Sequence, residues 1–194
     1  MILPIVAYGD PVLRKQAQTI SPDYPNLQTL IADMFDTMYH ANGIGLAAPQ
    51  VGKSVLLFIT DGTRLDRSDV PKEDMSTFKK VFLNPEILEE TGTEWAYEEG
   101  CLSIPGIRED VSRKPVVRIR YQNENWEWKE EEFSGMKARI IQHEYDHLMG
   151  KLFVDYAPSF RKLLIKNKLN KISKGNIEAS YPMFVHSKGQ VIKP

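Results

Sequence analysis

The segment 143–147, which reads H-E-Y-D-H, constrains this chain more than any other part of its sequence. In an H-E-x-x-H motif two imidazoles four residues apart, here His143 and His147, project from one face of a helix and can share a metal ion. Zinc or ferrous iron needs such convergent ligands, and the intervening Glu144 can take a proton from a water that the metal acidifies. The alternative is a solvated helix with two surface histidines.

The sequence around the motif favours the metal interpretation. Met136, Ile140, His143 and His147 follow the spacing i, i+4, i+7, i+11, so the imidazoles share a stripe with apolar residues of a helix predicted at about 134–149. That stripe faces the core. Buried imidazoles beside a carboxylate need partners, because an unpaired buried polar group costs roughly 1–3 kcal/mol.

Two histidines do not complete a metal site, and downstream candidates for a third ligand are weak. Metzincin proteases continue the motif to a third histidine, but the matching position here is Phe153, which cannot bind a metal. Thermolysin-like enzymes use a later Glu. Beyond His147 the only carboxylates are Asp155, close to the helix end, and Glu178, in a polar tail.

The only cysteine of the chain, Cys101, is a stronger candidate. A lone Cys cannot form an internal disulfide, which suits a reducing cytosol and leaves the thiol free for metal or catalysis. The alternative is an ordinary buried thiol. Cys101 with His143 and His147 would leave a fourth position open, the arrangement of a catalytic rather than a structural site.

Residues 43–50, which read G-I-G-L-A-A-P-Q, follow a helix predicted at about 25–41. Small residues let a backbone pass close to another segment. The spacing does not match a phosphate-binding loop. Taken alone, this segment is more typical of a tight helix-to-strand connection.

Three segments in order, G-I-G-L-A-A-P-Q, E-G-C-L-S at 99–103 and Q-H-E-Y-D-H at 142–147, resemble the signature motifs of the peptide deformylases. Residues 8–14 are also similar to that family's N-terminus, and the resemblance spans residues 4 to 155. It implies a metal-dependent hydrolase that removes the formyl group from the N-terminal formyl-methionine of new polypeptides and releases formate. The alternatives are another metal-dependent amidase or peptidase, and a non-catalytic module stabilised by metal.

The resemblance also implies roles for single residues. It implies metal binding by Cys101, His143 and His147, acid–base catalysis by Glu144, an oxyanion hole from Gln50 and the backbone N–H of Leu102, and contact of Gly45 with the substrate backbone. Zinc, iron, nickel and cobalt all suit the ligand types. The resemblance favours one ferrous ion.

Two further expectations concern the surroundings of the motifs. We expect Ile44, Met136 and Ile140 to form an apolar wall for the methionine side chain, with Arg139 either at the pocket mouth or solvated. The resemblance also predicts an ion pair between Glu99 and Arg113 that orients the metal ligands.

The pattern along the 194 residues predicts one α+β domain, 1–194, with mixed or antiparallel sheets around the metal-binding helix and a C-terminal helix at 159–172. Strands are predicted at Val55–Ile59, Val81–Leu83, Val116–Tyr121, Trp126–Phe133 and Leu152–Val154. Residues 61–80 are rich in charge, which predicts a surface insertion. We expect residues 175–194 to form a C-terminal tail, for which the resemblance supplies no counterpart.

Charge and hydropathy limit the partners. The 25 basic and 26 acidic residues nearly cancel, so nothing overall indicates DNA or a membrane, and no basic leader precedes the apolar start. We therefore expect a cytoplasmic protein that acts on formyl-methionyl nascent peptides. The basic helix at 159–174 permits a transient ribosome contact, as the family resemblance implies; the alternative is a solvated face that packs through Leu163, Leu164 and Leu169.

Overall fold

Three helices organise the structure, a computed structural model that describes residues 1–65 and 75–194. They are α1 at Leu27–His40, α2 at Gly135–Leu148 and α3 at Ser159–Ser173, close to the three predicted ranges. On α1 the apolar stripe of Leu27, Ile31, Met34 and Met38 is buried, and the chain turns out of the helix at Asn42, whose φ of 55° is left-handed. The predicted stop after α1 is thus confirmed.

Within the described residues, ten strands form three sheets. In chain order they are β1 (Ile5–Val6), β2 (Gly45–Ala47), β3 (Leu57–Asp61), β4 (Lys79–Thr91), β5 (Trp95–Cys101), β6 (Ile104–Arg113), β7 (Val116–Gln122), β8 (Trp128–Ser134), β9 (Met183–Val185) and β10 (Gln190–Ile192). The sheets have the orders β2-β3-β4-β7-β8, β5-β6 and β1-β9-β10, and among the described strands only β1 and β9 pair in parallel. α2 packs against the five-stranded sheet. The predicted α+β fold is confirmed.

Strand β4 extends well beyond the predicted Val81–Leu83. Proline cannot donate to a ladder, so Pro85 predicts an end, but the strand continues through a bulge between Leu83 and Glu86. Asn84 takes a φ of 47° there, and its side chain bonds both the N–H and the C=O of Ile20. The long strand therefore depends on a distant segment.

The strand predicted at Leu152–Val154 is wrong. These residues enter a short 3₁₀ turn at Phe153–Tyr156, and the Asp155 carboxylate accepts the Leu152 N–H at 2.8 Å. All three apolar side chains are buried. The run is apolar because it fills the core, and a short apolar run cannot by itself distinguish a strand from another buried segment.

Residues near both ends of the insertion predicted at 61–80, and residues of the C-terminal tail, are buried where the structure describes them. Residues 66–74 of the insertion lie outside the described residues. Asp61, Met75 and Phe78 are buried, so the flanks of the insertion belong to the core rather than the surface. The tail folds into β9 and β10, and Met183 and Val185 are buried beside β1.

Helix α3 does not pack mainly through Leu163, Leu164 and Leu169, as the solvated-face alternative predicts. Leu163 and Leu164 are 66% and 52% exposed, and Leu169 is only partly buried. Ile165 and Ile172 are the buried residues of the helix. Within residues 1–65 and 75–194, no helix has the length and apolarity needed to cross a membrane.

Candidate metal centre and active site

The three sequence-predicted metal ligands lie together at one point. His143 and His147 lie on successive turns of α2, and Cys101 ends β5, whose hairpin with β6 brings it to the helix. One potential ligand atom from each residue lies within 4.8 Å of the others. The Cys101 Sγ is 3.3 Å from the His147 Nε2. The imidazole rings of His143 and His147 are nearly perpendicular to each other. This is a convergent S-N-N set.

A buried ion network orients this set, and it confirms the predicted Glu99–Arg113 pair. The Arg113 Nε and Nη2 donate to the two Glu99 oxygens at 2.7 and 3.0 Å, and its Nη1 donates to Asp146 at 2.8 Å. The His143 Nδ1 lies 2.9 Å from the Glu99 Oε2, which leaves Nε2 of His143 for the cluster. Although burial opposes ionisation, the hydrogen bonds from His143 and Arg113 hold the pKa of Glu99 well below its usual range.

Arg139 belongs to the same network. It is buried rather than solvated, so that alternative was wrong: its Nη1 donates to Glu99 and to the Val111 carbonyl, and its Nη2 donates to the Trp95 carbonyl. Its guanidinium also lies 4.1 Å from the centre of the Trp95 ring. A planar group with five donors can satisfy so many acceptors, whereas lysine cannot.

Glu144 lies buried beside the cluster and close to Gly45. A Cβ added at Gly45 would lie 2.3 Å from the Glu144 Oε1, so only glycine leaves room for this carboxylate. Burial raises the pKa of Glu144 to about 7, against the opposing charge of His143. Its Oε2 and the Nδ1 of His147 are buried without a hydrogen-bond partner among the described residues.

Gln50 and Leu102 approach the cluster from the other side. The Ala47 N–H donates to the Gln50 Oε1 at 2.9 Å, which turns the amide so that Nε2 faces the Cys101 Sγ at 3.3 Å. Leu102 follows Cys101 in the turn between β5 and β6, and its N–H donates no backbone hydrogen bond within the described part of the chain. A Cβ at Gly43 would lie 2.9 Å from the Leu102 side chain. The small residues of the 43–50 segment therefore do allow close approach.

A cleft of about 1100 Å³ opens onto these residues. The sequence-predicted residues that line it are Ile44, Gly45, Gln50, Cys101, Leu102, Met136, Arg139, Ile140, His143 and Glu144. His147 is almost fully buried beneath it. The cleft also includes Tyr97, Arg108 and Tyr181, which sequence reasoning missed.

Asp146 was also missed, and Tyr181 could not have been found from the sequence. Asp146 lies inside the H-E-Y-D-H segment, and its carboxylate accepts hydrogen bonds from the Arg113 Nη1 at 2.8 Å and from the Tyr156 hydroxyl at 2.9 Å. A carboxylate between two metal-ligand histidines on a core-facing helix could have indicated a buried partner. Tyr181 lies far along the tail, and no sequence signal connects it to the site.

The residues present fit a metal ion. One thiol and two imidazoles converge, an outer carboxylate fixes the orientation of one ring, and the buried Glu144 Oε2 nearby has no hydrogen-bond partner among the described residues. Buried polar groups normally have partners, so such a cluster is more typical of a polar ligand site than of a packed core.

Comparison with known proteins identifies the family. Residues 2–163 match the family model described as polypeptide deformylase. The peptide deformylase of Christiangramia forsetii is 55% identical over 189 residues, which covers 94% of this chain and 95% of that protein. That of Flavobacterium johnsoniae is 52% identical over 187 residues, with coverage of 94% and 95%.

Solved structures agree. A peptide deformylase of Plasmodium falciparum in complex with an inhibitor has a TM-score of 0.75 at 35% identity, covering 88% of this chain and 99% of that chain. A deformylase 1B of Arabidopsis thaliana has a TM-score of 0.78 at 36% identity, with coverage of 89% and 91%. The chain therefore belongs to the peptide deformylase family, metal-dependent hydrolases that remove the formyl group from newly made polypeptides.

Proposed function

We propose that the cleft removes formate from N-formyl-methionyl peptides through the residues assembled around Cys101, His143 and His147. The convergence of these three ligand groups beside the buried Glu144 carboxylate is the observation that carries the proposal. A divalent ion held there would polarise the formyl carbonyl and acidify a water molecule. The remaining work falls to the protein's own side chains and backbone.

The edge of β2 is the place where the substrate backbone binds. β2 is the outermost strand of its sheet, and the Ile44 carbonyl accepts the Asp61 N–H of β3. In an antiparallel pair the following residue, Gly45, then directs its N–H and C=O away from the partner strand. An extended peptide can add to this edge through main-chain hydrogen bonds.

Gln50 and Leu102 stabilise the oxygen that becomes negative as water adds to the formyl carbon. The Gln50 amide is held by the Ala47 N–H, so its Nε2 needs no reorientation during the reaction. Together with the Leu102 N–H it would form an oxyanion hole, in which one donor is typically worth about 3 kcal/mol.

Glu144 moves the proton. It takes a proton from the attacking water and returns it to the departing amine as formate leaves. Its burial and the space that Gly45 leaves beside it support this role. Ile44, Met136 and Ile140 form the apolar wall for the methionine side chain.

We also propose ferrous iron as the metal in the cell. A mixed thiolate and imidazole set accepts iron, zinc, nickel and cobalt, and the family resemblance favours iron. Metal analysis of protein purified without oxygen tests this choice: iron in a ratio near one per chain with full activity is expected, and active protein that holds only zinc contradicts it.

The experiment that tests the function compares two substrates. The metal-loaded protein should release formate from a formyl-Met peptide, should leave the internal bonds of an acetylated peptide intact, and should lose turnover on chelation. Cleavage of internal bonds would indicate a peptidase instead. Loss of the fold on chelation with no turnover would indicate a metal-stabilised module.

Three wider proposals accompany this function. We propose that the chain acts in the cytoplasm, where formyl-methionyl chains are made, and that residues 1–194 work as one catalytic domain.

We also propose a transient ribosome contact through residues 159–174. Exposed Phe160, Leu163 and Leu164 alternate there with lysines, a surface that combines apolar contact area with charge toward RNA.

A further inference from the structure

The C-terminal segment returns to the active site after α3. β9 pairs in parallel with β1, with Ile5 opposite Met183, and the Ile5 N–H donates to the Pro182 carbonyl at 2.9 Å. The Ala7 N–H donates to the Phe184 carbonyl at the same distance. Met183 and Val185 are buried in the core. The tail is therefore held in place by the hydrogen bonds of β9 to β1 and by its buried side chains.

Tyr181 lies two residues before β9 and enters the catalytic cleft. It is 8% exposed, and its hydroxyl donates to the Leu102 carbonyl at 2.9 Å. It lies beyond residues 2–163, the part that matches the family model. Its partner Leu102 is the residue whose N–H is proposed to bind the developing oxyanion.

The turn that contains Leu102 is held by several contacts. The Tyr8 N–H, next to β1, donates to the Ser103 carbonyl at 2.9 Å, and the Gln50 amide faces the Cys101 thiol. Tyr181 holds the carbonyl between these two points. Peptide units are planar, and the Leu102 N–H and C=O belong to adjacent units that are joined at the Leu102 Cα. When the Leu102 and Ser103 carbonyls are held, the direction of the Leu102 N–H can therefore change only through φ and ψ of Leu102.

We propose that Tyr181 is a positioning residue for deformylation: its hydroxyl, anchored by the pairing of β9 with β1, holds the turn at Leu102 so that the Leu102 N–H points at the reacting oxygen. The inference rests on the proposed role of Leu102. Among the described residues, Tyr181 makes no hydrogen bond to Glu144 or to the three proposed metal ligands. It acts through the backbone of the turn.

The test is Tyr181→Phe, which removes the hydroxyl and keeps the ring. We expect kcat for a formyl-Met peptide to fall about three- to tenfold, the range that a neutral hydrogen bond supports, while KM stays within about twofold. Metal content should be unchanged. Hydrogen exchange of the Leu102 amide, followed by NMR, should become faster, because the turn is less constrained.

Tyr121→Phe is the matched control. Tyr121 is also buried, and its hydroxyl bonds Glu131, away from the cleft. This variant should also lose stability, because it gives up a hydrogen bond to a carboxylate, but kcat and the exchange at Leu102 should not change. Replacing Tyr181 by 4-aminophenylalanine, which keeps a donor at the same reach, should restore kcat.

The outcomes separate this inference from the function on which it rests. Wild-type protein that releases no formate would refute the function. Formate release with an unchanged kcat in Tyr181→Phe would refute only the inference, even if exchange at Leu102 becomes faster. The inference is also overturned if Tyr121→Phe lowers kcat equally, or if Tyr181→Phe fails to fold, since the hydroxyl would then support the fold rather than the turn.

Discussion

Helices α2 and α3 have nearly the same length, 14 and 15 residues, but they relate to the core in opposite ways. Ten residues of α2 are buried, and these include Arg139, Glu144, Asp146 and His147. On α3 only Ile165 and Ile172 are buried, while large apolar side chains face outward. One helix buries polar groups and the other exposes apolar groups.

The difference indicates that α2 contributes to the interior of the protein and α3 to its surface. Burying charge is costly without partners, and Arg139 and Asp146 of α2 are paired within the ion network beside the cluster of Cys101, His143 and His147. The exposed apolar side chains of α3 pack little against the rest of the chain, so they are available for the contact with another molecule that we propose. Substitutions on the two helices should therefore change different measurements.

The largest effect is expected from Glu144→Gln on α2. The amide keeps the shape of the side chain but cannot take a proton, so turnover of a formyl-Met peptide should fall by roughly 10²- to 10⁴-fold. Metal content measured by elemental analysis should stay at the wild-type level. Near-normal turnover with full metal loading would remove Glu144 from the mechanism.

The next effect is expected from Arg113→Met. The substitution removes the arginine that pairs with Asp146 and one of the two arginines that pair with Glu99, and breaking a buried ion pair in this way typically costs about 3–5 kcal/mol of stability. Metal affinity should also fall by roughly 10- to 100-fold, since Glu99 orients His143. Urea unfolding and competition with a chelator measure the two quantities.

The control for Arg113 is Arg118→Met. Arg118 pairs with Glu130 at 2.6 Å, but its side chain is 41% exposed. An exposed pair contributes about 0–1 kcal/mol, so the control should be nearly neutral. Equal losses of stability in Arg113→Met and Arg118→Met would show that burial does not make the Arg113 ion pairs stronger than the exposed pair of Arg118.

A smaller and more selective effect is expected from Ile140→Ala, which shortens the proposed pocket wall. Use of formyl-Met peptides should weaken by about 1–3 kcal/mol in apparent transition-state binding, and formyl-Ala peptides should be affected less. The comparison is kcat/KM for the two peptides. Unchanged discrimination would exclude Ile140 from the side-chain pocket.

Ile141→Ala is the matched control on the same helix. Ile141 is fully buried and is not among the residues that line the cleft. Its truncation should cost about 2–5 kcal/mol of stability while leaving the preference for formyl-Met intact. The pair of variants thus separates the two sides of α2.

The smallest effect on the isolated enzyme is expected on α3. Serine at Phe160, Leu163 and Leu164 should change the stability by no more than about 0.5 kcal/mol per site and leave kcat/KM on short peptides unchanged. Cosedimentation with ribosomes should weaken. Ile165→Ser, at a buried position of the same helix, should instead destabilise the protein. Unchanged cosedimentation of the triple variant would contradict the proposed contact.

An apolar stripe at helical spacing located α1 and α2, because a 3.6-residue repeat is a local signal that each of these helices carries by itself. Hairpin β5-β6 carries no such simple signal. Its inward positions include Glu99, Glu109 and Arg113. They are polar because Glu99 and Arg113 pair with each other, and all three also pair with charged residues of α2 or α3. Strand prediction from hydropathy could not find a strand whose buried face is charged.

The tail shows the same limit more strongly. β9 and β10 are three residues each, and Met183 matters because it lies opposite Ile5, which is 178 positions earlier in the chain. Short segments of this kind have no intrinsic preference strong enough to define them. Their structure comes from pairing across the molecule.

By itself, the sequence determined the chemistry of the site: the helical spacing of His143 and His147, the position of Glu144 between them, and a lone thiol in Cys101. These are properties of residue type and local geometry. Only the tertiary structure decided that Arg139 is buried, that Leu163 is exposed, and that Tyr181 reaches Leu102. The physical reason is that burial and hydrogen bonding between distant segments depend on how the whole chain packs, whereas a helix places residues i and i+4 on one face wherever it forms.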